Sequence, residues 1–302
     1  MFLLTGGSGD LGAEIAKYLI QDNEIITSLT RKDWDMGVPN NIENLPEIKH
    51  PVKYIFHFAD VSRKSMPDSA EMLQLNINII DNAMELWNRY PDAIFVSFTS
   101  LLMYNSSISG SISIASDLNI DVTNSNYYYA RSKLYLRDAV KFNTSKKRGV
   151  ILLLGNIYGM ISNHKLSNFI SDLIKKMMNQ SDDYNSILIQ SDGREKRTFM
   201  HVYDLYRTIK LVIDDEFVDY KEIEVNGRSY TVRHAVSIAS ELLKNDKPII
   251  YNMDRKSNDR IISPLHGLHN LFPQEFLTHL TLTQGLTKFI KELETNELCT
   301  AS

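Results

Sequence analysis

Phe2-Leu3-Leu4-Thr5-Gly6-Gly7-Ser8-Gly9-Asp10-Leu11-Gly12 is the stretch whose reading decides the fold. Phe2 to Thr5 reads as a short buried strand. The apolar positions Leu11, Ile15, Tyr18 and Leu19 then recur at helical spacing as far as Gln21. Between them lie glycines at 6, 9 and 12, each suited to a different demand. Gly6 permits a tight turn, Gly9 lets backbone approach a pyrophosphate, and Gly12 lets the helix pack closely on the strand. A helix that starts here offers unpaired N–H groups and the positive end of its dipole to phosphate. The backbone at Gly6, Ser8, Gly9, Asp10, Leu11 and Gly12 is therefore expected to hold a dinucleotide.

The same alternation continues outward. Glu24 to Leu29, Val52 to Phe58, Ala93 to Thr99 and Val150 to Leu154 read as strands. Ala70 to Tyr90, stopped by Pro91, and Tyr127 to Lys147 read as helices. Apolar strands alternating with amphipathic helices predict an α/β fold, a doubly wound parallel (Rossmann) sheet covered on both faces. The second half is less regular. It suggests a helix over Leu166 to Met178, a strand over Ile187 to Gln190, and a helix over Val202 to Ile213. A strand, the turn Asn226-Gly227 and a helix over Val232 to Leu243 follow. Tyr104 to Asn126, rich in Ser and Asn, is expected to loop over the sheet edge, and the chain is expected to fray from about Glu292. Residues 1–155 are assigned to the dinucleotide-binding domain. Residues 156–302 are assigned mainly to a smaller C-terminal α/β substrate-binding part, with some segments returning to the core.

Bulk properties exclude several classes. A chain of 302 residues with 43% hydrophobic and 23% charged residues has the composition of an ordinary globular protein. A net charge of −4 with scattered basic residues argues against nucleic-acid or anionic-membrane partners. The single cysteine, Cys299, rules out an intramolecular disulfide or a cysteine metal cluster, and no metal site is expected. Met1 to Leu4 lacks the basic flank and length of a signal sequence, and nothing is long enough to span a bilayer, so a cytoplasmic location is expected.

Tyr129-Ala130-Arg131-Ser132-Lys133 places a phenol and an ammonium four apart on one helix face. A phenol of ordinary pKa near 10 is a poor base at neutral pH, and a neighbouring cation is expected to lower it. Together with the Gly6-x-x-Gly9-x-x-Gly12 spacing, the pair resembles the extended short-chain dehydrogenase/reductase family. Within it, the closest likeness is to the nucleotide-sugar-modifying epimerase/dehydratase branch typified by UDP-galactose 4-epimerase. The resemblance implies that Tyr129 exchanges the proton, that Lys133 supports it, and that both touch the cofactor. In Val96-Ser97-Phe98-Thr99-Ser100 it implies Ser100, with Thr99 as competitor, as the hydroxyl bonded to the reacting oxygen. Phe58 and Ala59, after His57, would line the cofactor, as would Asn76 of Asn76-Ile77-Asn78; His57 is read as structural.

The end of the second strand bears on the cofactor. A carboxylate there binds a ribose 2′-hydroxyl, whereas a basic residue accommodates a 2′-phosphate. Leu29-Thr30-Arg31-Lys32 offers Arg31 and no carboxylate before Asp33, which favours NADP(H) over NAD(H). In the second half, Gly155-Asn156-Ile157-Tyr158-Gly159 resembles a family segment whose asparagine contacts the substrate diphosphate, although Leu153 stands where an arginine is usual. Asp192-Gly193-Arg194-Glu195-Lys196-Arg197-Thr198-Phe199-Met200-His201-Val202-Tyr203-Asp204 resembles another, with Arg197 as the diphosphate clamp and Asp204 capping a helix.

The family's 4,6-dehydratases carry an Asp-Glu pair where this chain has Leu101-Leu102, so elimination of water is disfavoured. The expectation is NADP(H)-dependent reduction of a nucleotide-linked 4-keto-6-deoxy sugar. A 4-epimerase with tightly bound NAD, or a regulatory dinucleotide-binding protein without catalysis, stands as the alternative. Pairing of two copies through the helices Ala70 to Tyr90 and Tyr127 to Lys147 is implied by the same resemblance.

Overall fold

A computed structural model describes the chain apart from residues 63–64, 145–146, 161–168, 179–185, 215–219, 256, 264–270, 272, 275–277 and 301–302. The first half runs β1 (Phe2–Thr5), α1 (Asp10–Gln21), β2 (Ile26–Leu29), β3 (Tyr54–His57), α2 (Ala70–Arg89), β4 (Ile94–Ser100), β5 (Gly110–Ile112), α3 (Tyr127–Phe142) and β6 (Gly149–Leu154). The second runs β7 (Asn156–Tyr158), α4 (Phe169–Met178), β8 (Ile187–Ile189), β9 (Lys196–His201), α5 (Val202–Asp214), β10 (Tyr220–Val225), β11 (Arg228–Thr231), α6 (Val232–Leu242), β12 (Ile249–Tyr251), β13 (Arg260–Ile262) and α7 (Leu282–Thr300).

The central sheet has six strands in the order β10-β6-β4-β3-β1-β2. Every neighbouring pair in it is parallel. Alternation along each strand explains the two cores. Leu4, Phe56, Val96 and Leu152 face α1 and α5, where they meet Ile15, Leu19, Leu205 and Ile209. Their neighbours Leu3, Ile55, Phe95 and Ile151 face α2 and α3, meeting Ile80, Leu86, Trp87, Leu136 and Val140. Strands buried on both faces must be apolar throughout, which is why they read as continuous hydrophobic runs. Burying a side chain such as these contributes about 1.5–3 kcal/mol.

Adjacent residues start two helices. Ser69 Oγ accepts a hydrogen bond from Met72 N–H (3.3 Å) and caps α2. Asp68 reaches across to α3, its carboxylate oxygens accepting from the N–H groups of Tyr128 (3.0 Å) and Tyr129 (2.9 Å). Capping by a carboxylate satisfies orphan donors and favours the helix dipole.

A second sheet has the order β11-β9-β13-β5, with β7 also paired to β9, and β8 pairs with β12. Around them α4, α6 and α7 close a separate core that includes Ile174, Phe199, Val236, Leu286 and Phe289. Three expectations change. The segment Tyr104 to Asn126 is not only loop, because β5 within it pairs in parallel with β13. The helix expected to reach Lys147 ends at Phe142, followed by the cap residue Asn143. The chain does not fray at Glu292. Leu282, Leu286, Phe289, Ile290 and Leu293 form a buried stripe at helical spacing, and α7 runs to Thr300. The helix expected from Leu166 is seen as α4, its first three residues lying outside the described ones. Among the described residues no helix is long and apolar enough to cross a membrane.

Candidate active site

The glycine loop joins β1 to α1. Gly6 has φ +71°, and a Cβ on it would lie 2.5 Å from the backbone nitrogen of Ala59. Only glycine allows the chain leaving β3 to cross the loop this closely. A Cβ on Gly12 would lie 2.5 Å from Gly6 O, so the first turn of α1 sits directly on the loop. Gly9 stands at the N-cap and supplies no side-chain cap. The result is a helix N-terminus on a loop with no Cβ at Gly6, Gly7 and Gly9, the construction that suits a pyrophosphate. A dinucleotide therefore fits the residues present.

The loop after β2 is organised by carboxylates. Asp33 Oδ2 accepts from the N–H (2.8 Å) and Oγ1 (2.7 Å) of Thr30, and Arg31 Nε lies 3.2 Å from Asp35 Oδ2. The Arg31 side chain is 77% exposed at the rim. From α2, Asn78 donates to Gly37 O (2.8 Å), and Asn82 donates to Met36 O and Val38 O while accepting from Asn41 N–H. Buried amides on a helix are tolerated because each is bonded, and here they fix the loop that carries Arg31.

The chain leaving β3 crosses the glycine loop and brings Asp60 to α3. Phe58 N–H donates to Thr5 O (2.9 Å), and the Phe58 ring stacks on Phe98 at 4.7 Å. Asn76 of α2 clamps the next turn: its Nδ2 donates to Val61 O (2.9 Å) and its Oδ1 accepts from Val61 N–H (2.7 Å). Asp60 is thereby held beside α3, where its Oδ2 lies 2.9 Å from Lys133 Nζ and 3.3 Å from Tyr129 Oη. Tyr129 and Lys133 thus converge on one carboxylate, which follows the Ala59 that packs against Gly6.

That carboxylate reverses one expectation. Burial raises the Tyr129 phenol, Lys133 lowers it, and Asp60 raises it again, leaving it pushed up to about 12 rather than made acidic. Burial alone would depress the Lys133 ammonium, yet Asp60 and Tyr129 hold it above the usual lysine range. Burial would raise the Asp60 carboxyl, but the charge and hydrogen bond of Lys133 bring it below the usual carboxylate range. His57 is neutral, pushed down to about 3 by burial and then by Lys133. Its Nδ1 is bonded to Thr5 Oγ1 (2.8 Å), as befits a structural residue.

Ser100 ends β4, and its Oγ accepts from Leu102 N–H (3.2 Å). It is partly exposed, whereas the hydroxyl of Thr99 is buried without a partner. Strand-end exposure therefore favours Ser100 over Thr99 for contact with a ligand. Among the described residues no hydrogen bond joins Ser100 to Tyr129.

Beyond Ser100 the site turns cationic. A cavity of about 310 Å³ is lined by Leu102, Ser106, Asn124, Arg255, Asn258 and Arg260. A second, of about 220 Å³, shares Arg255 and adds Asn156, Glu195 and Arg197 among its walls. Asn156 and Arg197 are therefore brought together, with Asn156 Nδ2 donating to Thr198 O (3.1 Å). Arg197 Nη2 donates to Ser257 Oγ (2.7 Å) and its Nη1 to Asn258 O (2.5 Å). Arg260 is the register partner of Arg197 across β13 and β9. It donates to the carbonyls of Leu101 (2.5 Å) and Asn105 (3.1 Å), tying this sheet to the turn after Ser100. Burial and then the charge of Arg197 lower the Arg260 guanidinium, the mark of like charges gathered in one place. Asp204 does not cap α5 as expected; its Oδ2 accepts from Leu280 N–H (2.9 Å) and ties down the chain before α7.

Sequence reasoning missed Asp60, Asp68, Arg255 and Arg260. Only Asp60 left a signal, as a carboxylate directly after the segment His57-Phe58-Ala59.

Comparison with known proteins agrees with this architecture. No curated protein matches the sequence. Among solved structures, a GDP-6-OMe-4-keto-L-xylo-heptose reductase from C. jejuni is similar in fold, with a TM-score of 0.80 at 17% identity over 98% of this chain and 97% of that one. A GDP-L-fucose synthetase from Naegleria fowleri gives 0.79 at 15% identity, over 97% and 94% of the two chains. An ADP-L-glycero-D-manno-heptose-6-epimerase from Helicobacter pylori gives 0.78 at 17%, over 97% and 96%. The model of the NAD dependent epimerase/dehydratase family matches residues 2–226, well over half of the sequence. The chain belongs to the NAD dependent epimerase/dehydratase family.

Proposed function

We propose that this protein reduces a nucleotide-linked 4-keto-6-deoxy sugar, with NADPH as the preferred reductant. The observation that supports the reading is the meeting of Tyr129 and Lys133 at Asp60, which follows the Ala59 that packs on Gly6; arginine-lined cavities lie on the other side of the turn after Ser100. A nicotinamide cofactor, when bound, supplies the hydride. Gly6, Ser8, Gly9, Asp10, Leu11 and Gly12 would hold its pyrophosphate. Phe58, Ala59, Asn76, Tyr129 and Lys133 would line the rest, with Arg31 facing a 2′-phosphate.

This chain's own groups then divide the work. Ser100 donates a hydrogen bond to the sugar oxygen and orients it. Tyr129 delivers its hydroxyl proton to that oxygen as negative charge develops there. Lys133 stabilises the phenolate left behind. Arg197 and Asn156 bind the diphosphate, placing the ring at the Tyr129 end. Leu101 and Leu102 carry no proton and leave water elimination without an acid and base. Residues 156–302 serve mainly to bind substrate. Two copies pair through α2 and α3, where Phe142 (82% exposed) stands in solvent; light scattering that finds only monomer would refute the pairing.

Incubation with NADPH and a 4-keto-6-deoxy nucleotide sugar made in situ by a dehydratase tests the reading. The expected result is NADPH loss equal to sugar reduced, with the purified protein carrying no cofactor that resists removal. A protein that retains NAD through purification and epimerises a nucleotide sugar with no net NADPH loss would overturn it.

A further inference from the structure

We propose that Asp60 is a positioning residue that keeps Tyr129 protonated, so that the site works as a proton donor in carbonyl reduction. This rests on the reading of Tyr129 and Lys133 as the proton-transfer pair, and it assigns that pair a direction. One oxygen, Asp60 Oδ2, faces both partners, at 2.9 Å from Lys133 Nζ and 3.3 Å from Tyr129 Oη. The carboxylate is held in place from two sides. Asn76 clamps the backbone of Val61, its Nδ2 donating to Val61 O and its Oδ1 accepting from Val61 N–H, and Ala59 packs on the glycine loop at Gly6.

The charges that face the phenol can be counted element by element. α3 contributes the Lys133 ammonium. The chain after β3 contributes the Asp60 carboxylate, and β3 contributes His57, neutral in its buried setting. Ahead of α2, Asp68 spends both carboxylate oxygens on the backbone N–H groups of Tyr128 and Tyr129. One ammonium is thus already matched by one carboxylate beside it. Were Asp60 absent, a Tyr129 phenolate would complete a neutral pair with Lys133. With Asp60 present, the phenolate is a second anion against a single cation in a partly buried site, a disfavoured arrangement. The position of the phenol at about 12 agrees with this count: burial is the largest cause, Lys133 opposes it, and Asp60 adds to it.

The consequence is directional. With the proposed NADPH as hydride donor, its transferable C–H bond would break as the carbonyl carbon is reduced, and the C=O π electron pair would move to oxygen. The O–H bond of Tyr129 then breaks, its proton forms the new O–H bond on the sugar, and its electron pair stays on the Tyr129 oxygen. The phenolate so formed lies against Asp60 and takes back a proton from water, which reaches the carboxylate because a third of the Asp60 side chain is exposed (33%). The opposite reaction needs a standing phenolate to deprotonate a carbinol, and the same carboxylate works against it. Asp60 thus keeps the resting site in the protonated form from which reduction starts, whereas an epimerase's first half-reaction starts from the phenolate.

The test is a titration of tyrosinate absorbance in the full-length chain without cofactor. It compares wild type with Asp60→Asn, each minus the matching Tyr129→Phe variant so that only Tyr129 is read. Wild-type Tyr129 should ionise near pH 12. In Asp60→Asn the midpoint should fall by about one to three pH units, and the alkaline limb of NADPH consumption should move with it. The same midpoint in both proteins would overturn the role of Asp60. If Asp60→Asn does not fold, the wild-type difference titration decides alone, since ionisation below the ordinary phenol value of about 10 would be fatal to it. No substrate is needed, so the two readings fail separately. An inert enzyme with the expected titration overturns the reductase assignment, and an active one with an unmoved midpoint overturns only this inference.

Discussion

The two ends of the cleft are built on opposite electrostatic plans. At the Tyr129 end one carboxylate, Asp60, sits between a phenol and an ammonium, and the three nearly cancel. At the other end Arg197 and Arg260 are register partners across β9 and β13 and Arg255 is shared by both cavities, so that three guanidinium groups outnumber the buried Glu195 carboxylate 3.9 Å from Arg197. A balanced cluster resists net charge and so governs where a proton stays. An unbalanced cationic one stores unfavourable charge that an anionic ligand relieves. The comparison teaches that chemistry and affinity are separable here, and changes at either end should show it.

The largest separation should come from Tyr129→Phe, which removes the proposed proton donor and leaves the arginines untouched. Turnover should fall about 10²- to 10⁴-fold, the usual worth of general acid catalysis, with little change in KM. Steady-state kinetics on the keto sugar would check it, and an equal loss in KM would merge the two ends. Arg197→Lys should do the reverse, raising KM by about tenfold or more while kcat holds, because an ammonium cannot reproduce a planar bidentate clamp.

Acid should strike the scaffold beneath both ends. His57 and His201 are pushed down to about 3 and His279 to about 4, each chiefly by burial. These folded values lie below the unfolded value near 6.5. The unfolded chain therefore binds protons first as the pH falls, and the stability these groups contribute is present above about 6.5 and lost below it. Each histidine should remove about 1.4 kcal/mol per pH unit between roughly 6.5 and 4. Thermal unfolding across that window would test this, and a Tm flat down to pH 4 would contradict it. Asp68→Ala should cost about 1 kcal/mol by uncapping α3, sparing the arginine end. The smallest effect is expected from Arg31→Asp. Its side chain is exposed and bonded to Asp35, so preference should shift from NADP towards NAD only severalfold. An unchanged ratio of kcat/KM values would remove Arg31 from the cofactor site.

Legibility in the sequence followed the distance over which each feature is assembled. The glycine loop lies within one strand-turn-helix, and Tyr129 and Lys133 are one helical turn apart, so spacing together with their place after the loop and the strands singled them out. The six-stranded sheet was readable because strands buried on both faces are apolar throughout. Asp60 meets Tyr129 only because β3, α2 and α3 converge, a contact between residues 69 apart in sequence. The pairing of β5 with β13 joins Gly110 to Arg260, and three-residue strands carry too little pattern to announce themselves. The α7 stripe, by contrast, was present in Leu282, Leu286, Phe289, Ile290 and Leu293, and the expectation of fraying passed over it.

Reaction with NADPH deuterated at its transferable position, followed by mass analysis of the sugar, tests the central claim most directly. The account predicts one deuterium on the former carbonyl carbon, appearing with wild type and lost with Tyr129→Phe. A product without deuterium, or labelling that persists at the wild-type rate in Tyr129→Phe, would contradict it.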